Sequence, residues 1–164
     1  LLGKELMTEN GLLTEQGSST FWDRSTLYAL RGIYIAGQAD RATEFLSHYA
    51  RRRLLGDHVP YPIEAWPEGS QRHLAAESGL FCRVITEGLF GIRPTGFRSF
   101  DLTPSMPSGW NRMALRHIRA FENNFDLVIE KQPDGFLRVT LAISGRNPRA
   151  FRLRQGASLR IKLP

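Results

Sequence analysis

Three glutamates, a tryptophan and a histidine crowd residues 63–77, IEAWPEGSQRHLAAE. Glu64 stands in YPIEAWP, a segment stiffened by Pro60, Pro62 and Pro67 and flanked by Tyr61 and Trp66. A rigid loop holding a carboxylate between two aromatic side chains has the parts for carbohydrate chemistry. Aromatic faces stack on the apolar face of a sugar, and carboxylates accept its hydroxyl hydrogens or move protons. Breaking a glycosidic bond takes two carboxyl groups on opposite sides of it, and in the inverting case the general base lies across a water from the anomeric carbon. An acidic residue beside Trp and Pro is also commonly just solvent-exposed, and composition alone leaves both readings standing.

The neighbouring polar residues have plainer readings beside the chemical ones. Glu68 reads as a solvated turn residue. Glu77 and Glu87 fall on a helix, as surface carboxylates or partners of Arg83, and Glu77 lies early enough to be favoured by the helix dipole. His73 reads as a hydrogen-bonding side chain, because no Ser or Cys nucleophile motif accompanies it. His48, His58 and His117 have no metal-ligand spacing, and with one cysteine, Cys82, a thiolate zinc site and an internal disulfide are both excluded. The setting of Cys82 among apolar residues predicts a small buried side chain. A second aromatic–acid cluster, Phe21-Trp22-Asp23-Arg24, opens a helix, with Trp22 and Asp23 as core and first-turn anion or as pocket residues.

The elements that must position these residues change period midway. After Gly17-Ser18-Ser19-Thr20, which supplies N-caps, Leu27, Leu30 and Tyr34 recur at helical spacing and Gly37 is a natural C′ residue. A second helix follows with Ala39, Ala42, Phe45, Leu46 and Tyr49 on one side, ending at Gly56. Almost no linker separates the two, so they are expected to form an antiparallel hairpin. That topology returns the chain to the end where it began and puts Trp22 and Asp23 near loop 57–70. A third helix is expected over 71–90, apolar on most faces and therefore buried.

Beyond a boundary near Arg93-Pro94-Thr95-Gly96 the period becomes two. FRSFDL, MALRHIRAF, FDLVIEK, FLRVTLAI, AFRLR and SLRIKL alternate as strands, with turns at Glu130-Lys131-Gln132-Pro133-Asp134-Gly135 and Gln155-Gly156-Ala157. Short strands joined by tight turns predict an antiparallel sandwich or part of one. The expected class is α+β, with domains over 1–94 (1–17 irregular) and 95–164. The 164 residues are 41% hydrophobic and 23% charged, ordinary for globular chains, and no run reaches the length of a membrane span. The net charge of +6 is uneven: −1 over residues 1–96 and +7 over 97–164, where ten of twelve basic residues are arginine. A basic surface can serve nucleic acid, but here the arginines alternate with apolar residues, as on a solvated sheet face. No signal peptide opens the chain, which reads as a mature or excised piece.

The order of features resembles the C-terminal end of the six-hairpin glycosidases, (α/α)6 barrels followed by a β-sandwich, and most closely their α-L-rhamnosidase-like members. The likeness covers roughly residues 18–131. It rests on the Trp-bearing helix start, the hairpin, the Glu-bearing loop, and Leu89-Phe90-Gly91-Ile92, Pro94, Gly96 and Phe100-Asp101-Leu102-Thr103-Pro104. It implies that Glu64 is the general base of an inverting hydrolase, and that Trp22, Asp23, Tyr61, Trp66, His73 and Glu77 shape the sugar site. Ala75-Ala76-Glu77-Ser78 stands where rhamnosidase-like chains have a Ser-X-Asn-His cluster, so the sugar specificity does not carry over. Related phosphorylases replace the base with a phosphate-binding loop, and Glu64 therefore argues for hydrolysis.

The resemblance further implies that these are the last three of twelve barrel helices, with the general acid elsewhere and the piece inactive alone. Its expected partners are a carbohydrate and the remainder of its own barrel, with no cofactor, metal, nucleic acid or membrane, in a bacterial periplasmic or secreted setting. Two other classes stand beside it. One is a relative that binds glycan without cleaving it, and the other is an Arg-rich polyanion-binding sheet, whose affinity would fall steeply with salt.

Overall fold

The computed structural model describes residues 7–8, 11–13, 21–53, 65–66 and 75–164, which form three helices and antiparallel sheets, an α+β chain. It divides into two compact units, Leu1–Gly88 and Leu89–Pro164. No described helix is long and apolar enough to cross a membrane.

In the first unit, strands β1 (Met7–Thr8) and β2 (Gly11–Leu12) make a small antiparallel pair, as do β3 (Phe21–Trp22) and β4 (Ala65–Trp66). Helix α1 (Asp23–Ile35) follows β3 directly and buries Thr26, Leu27, Leu30 and Tyr34. It stops as its glycine predicts. Gly37 takes φ 77°, its N–H reaches the Tyr34 carbonyl at 2.9 Å, and the Gln38 N–H reaches Ile33 at 3.1 Å. These two bonds make a Schellman cap, which a left-handed residue at C′ permits. Helix α2 (Ala39–Arg53) then packs on α1 through Ala39, Ala42, Leu46 and Tyr49. Tyr34 Oη and Thr43 Oγ1 share a hydrogen bond of 2.8 Å between the two helices.

The third helix departs from expectation. Helix α3 covers only Ala75–Arg83 and passes into a π-helical turn, Val84–Leu89, while residues 71–74 lie outside the described set. The Thr86 hydroxyl donates to the Cys82 carbonyl at 3.0 Å, the local side-chain bonding that bends helices. The turn also brings Gly88 against Tyr34, where a Cβ would lie 3.1 Å from a ring carbon. Burial on nearly every side does not occur. Glu77, Leu80, Val84 and Leu89 are buried, whereas Ala75, Ala76, Gly79 and Cys82 are exposed, because α3 packs mainly against α1. Cys82 is thus an exposed free thiol and not the buried one its neighbours suggest.

The second unit holds two antiparallel sheets. Strands β7 (Arg112–Ala120), β8 (Asn123–Lys131), β9 (Phe136–Ile143) and β10 (Arg149–Arg154) form a meander ordered β10-β9-β8-β7. Strands β5 (Ile92–Gly96), β6 (Ser99–Leu102) and β11 (Leu159–Lys162) form the other, ordered β11-β6-β5. Alternation buries Leu127 and Ile129 of β8 with Leu137, Val139 and Leu141 of β9. Phe100 of β6 stacks on Phe121 at 5.3 Å and on Phe125 of β8 at 6.0 Å.

Strand β5 falls where the prolines and glycines suggested only a boundary. It is an edge strand, where Pro94 forfeits no interior ladder bond. The Gln132–Gly135 turn forms, with Gly135 at φ 79°, and Gly156 takes φ 79° at the other expected turn. Between β7 and β8 the chain turns at Phe121 and Glu122, at φ 54° and 58°. Asn123 Nδ2 closes it on the Phe121 carbonyl at 2.7 Å, while the Phe121 ring is held on Phe100.

Candidate functional site

Trp22, the residue before α1, is extended at φ −81° and ψ 115° and makes no side-chain cap. Its backbone pairs with Ala65 while Phe21 pairs with Trp66, so β4 is fixed to the chain immediately preceding α1. Alternation in so short a strand buries Phe21 and leaves Trp22 38% exposed. The start of α1 is thereby tied to the end of the Tyr61–Trp66 segment in sequence, though only Ala65 and the backbone of Trp66 are described there. Glu64, Tyr61 and His73, along with Glu68, lie outside the described residues.

Asp23 begins α1, where the unsatisfied amides of the first turn favour an anion. It is nonetheless buried, at 1% exposure, and the Tyr49 hydroxyl donates to its Oδ2 at 3.1 Å. Tyr49 comes from the last turns of α2, so the hairpin does return the chain to its starting end. The Tyr49 ring stacks on Phe81 of α3 at 6.3 Å. One turn before Phe81, Glu77 is fully buried, and its Oε1 receives both Arg24 Nε and Arg24 Nη2 at 2.7 Å. Glu77 Oε2 is buried with no hydrogen-bond partner among the described residues.

Asp23–Tyr49 and Arg24–Glu77 are therefore two polar pairs, drawn from the first turn of α1, the end of α2 and the first turn of α3. Of the residues expected at a sugar site, Trp22, Asp23 and Glu77 fall in or beside them. Glu87 lies apart, bound by Arg83 at 2.6 Å, as its spacing predicts, and by Arg31 at 2.9 Å. Two members escaped the sequence reading. Tyr49 counted only as apolar face, although a buried phenol normally needs a partner for its O–H. Arg24 carried no local signal at all, since its partner is 53 residues away.

The two pairs bring together two buried carboxylates, one guanidinium and one phenol, and both Glu77 oxygens are closed off from solvent. Among the described residues no three His, Cys, Asp or Glu side chains gather as a metal site requires. Compared with protein-family models, curated proteins and solved structures, the chain matches none.

Proposed function

We propose that this chain is part of an inverting glycoside hydrolase acting on oligo- or polysaccharides, with Glu64 as its general base. In that reading the three helices are the last of an (α/α)6 toroid of the six-hairpin, α-L-rhamnosidase-like type, and the two sheets are its trailing β-sandwich. The support is the two polar pairs at the start of α1, Asp23 with Tyr49 and Arg24 with Glu77, whose carboxylates are both buried. Beside them, β3–β4 pairing carries Ala65, the residue that follows Glu64, to Trp22.

Glu64 takes a proton from water as the oxygen attacks the anomeric carbon. A carboxylic acid outside this chain protonates the leaving oxygen on the opposite face. Trp22, Tyr61 and Trp66 offer faces for a sugar ring to stack on, while His73, Asp23 and Glu77 take its hydroxyls. Arg24 and Tyr49 hold the two carboxylates in place and act through them.

Replacing Glu64 with Gln in the complete enzyme is expected to lower kcat by roughly two to four decades, the span of general-base catalysis, with KM little changed. Steady-state kinetics on a released reducing sugar measure it, and turnover near the unaltered rate would remove Glu64 from the role. Retained oligosaccharide binding with no product from either form would instead indicate a relative that binds without cleaving.

A further inference from the structure

The five carboxylates of residues 97–164 are all taken by arginines: Asp101 by Arg160, Glu122 by Arg98, Asp126 by Arg116, Glu130 by Arg112 and Asp134 by Arg152. Two cations with no carboxylate partner among the described residues, Arg138 and Arg154, lie beside paired arginines on one face. Cross-strand register sets Arg152 opposite Arg138, Arg138 opposite Glu130, and Glu130 opposite Arg112, one row across all four strands of the β7–β10 sheet. Strand alternation sends this row outward, since Leu137, Val139, Ile129 and Leu153 between these positions are buried.

Arg154 joins the row's end, lying with Arg152 over the ring of Phe136 at 5.6 Å and 3.5 Å. Arg116 and Arg119 lie toward the other end of the face. The next row, Ala150, Thr140, Val128 and Ala114, consists of short side chains and makes a flat floor beside the guanidinium groups.

Like charges directly opposite one another on neighbouring strands, about 5 Å apart, destabilise a sheet. Arg138 and Arg152 are such a pair, and Arg138 and Arg154 have no carboxylate partner among the described residues. We propose that the outward face of the β7–β10 sheet binds an acidic polysaccharide, its carboxylates held by Arg138 and Arg154 on either side of the Asp134-bound Arg152 while its sugar rings lie on the floor of small side chains.

The chemistry of the face selects that occupant. Its cations are arginines, whose planar forks grip a carboxylate with two N–H groups. This unit already uses them so at Arg160 on Asp101. Single-stranded nucleic acid needs aromatic platforms for its bases, and the one aromatic ring on this face, Phe136, is covered by Arg152. The inference does not rest on the hydrolase reading, because none of these residues belongs to the polar pairs at the start of α1 and Glu64→Gln leaves the face unchanged.

Calorimetric titration of the whole chain with a short oligogalacturonate tests it, beside a neutral gluco-oligosaccharide and a single-stranded oligonucleotide of similar length. The acidic sugar should bind best, with affinity that falls as salt rises. The double variant R138Q/R154Q should weaken it by about tenfold or more. Both changes spare every ion pair of the described residues, and unchanged thermal unfolding shows that the variant is folded. R93Q, which removes the same kind of charge from the other sheet, should leave binding intact. Equal loss in R93Q, an unaffected double variant, tighter binding of the oligonucleotide, or no binding of the acidic sugar would each overturn the proposal.

Discussion

Arg24 and Glu77 share an ion pair whose two members meet different surroundings: the guanidinium is 52% exposed and the carboxylate wholly buried. Removing one partner should therefore not cost the same as removing the other. Arg24→Gln strands a carboxylate in the interior, and breaking a buried pair that way costs about 3 kcal/mol. Glu77→Gln leaves a guanidinium that water can solvate and keeps an amide oxygen as acceptor, a loss of about 1 kcal/mol. Urea unfolding followed by helical circular dichroism measures both, and equal losses would show that Glu77 is not desolvated as its burial indicates. The position of Glu77 in the first turn of a helix was legible in the sequence. Its burial was not, because burial depends on Arg24, which no local pattern ties to it.

Among the elements, strands were legible wherever one face alternates and turns wherever Pro or Gly imposes a dihedral. The strand β5 and the π-helical turn were not, since an edge strand tolerates Pro94 and the close approach of Gly88 to Tyr34 joins residues 54 apart in sequence. Gly91 shows how specific such a demand can be. Its φ is 66°, and a Cβ there would fall 1.9 Å from the Thr103 carbonyl oxygen, across a pair whose Thr103 N–H bonds Gly91 at 3.0 Å. Gly91→Ala should lower the stability of the sheet unit by about 2–3 kcal/mol, read as a lowered midpoint of denaturant unfolding.

The carboxylates of this unit also set an acid limit. The Arg160 side chain holds Asp101 below the usual carboxyl range, the His117 amide and then Arg116 do so for Asp126, and the Phe136 amide and then Arg152 for Asp134. A folded-state pKa below the unfolded one contributes stability that is present above the unfolded value and lost as pH falls through the folded one. Thermal unfolding should therefore be flat from neutral pH down to about 5 and decline below about 4. Changing all three aspartates to Asn should flatten the decline. Salt should weaken the pH dependence, because these pairs are exposed.

At the scale of the whole molecule, the change from helical to strand periodicity and the change from −1 to +7 in charge were both readable, for they are sums over many residues. What each half buries was not, because that depends on which faces find partners. Both units bury apolar side chains, Leu27, Leu30 and Tyr34 in the first among them, but they expose different ones. Leu89–Pro164 has its own interior, with Phe100, Leu102, Met106, Leu127, Leu141 and Ile161 fully buried. Leu1–Gly88 leaves Tyr28 50% and Ile35 52% exposed on α1, besides the small residues and thiol on α3. Helices this short gain most of their stability from tertiary packing and little from propensity. A chain beginning at Leu89 should accordingly unfold in one cooperative transition with a β-type spectrum. A chain ending at Gly88 should show a broad, weak helical melt. Circular dichroism melts of the two pieces and the parent chain decide it. A sharp transition in the helical piece would show that α1, α2 and α3 close a sufficient core by themselves and need no further helices against their exposed faces.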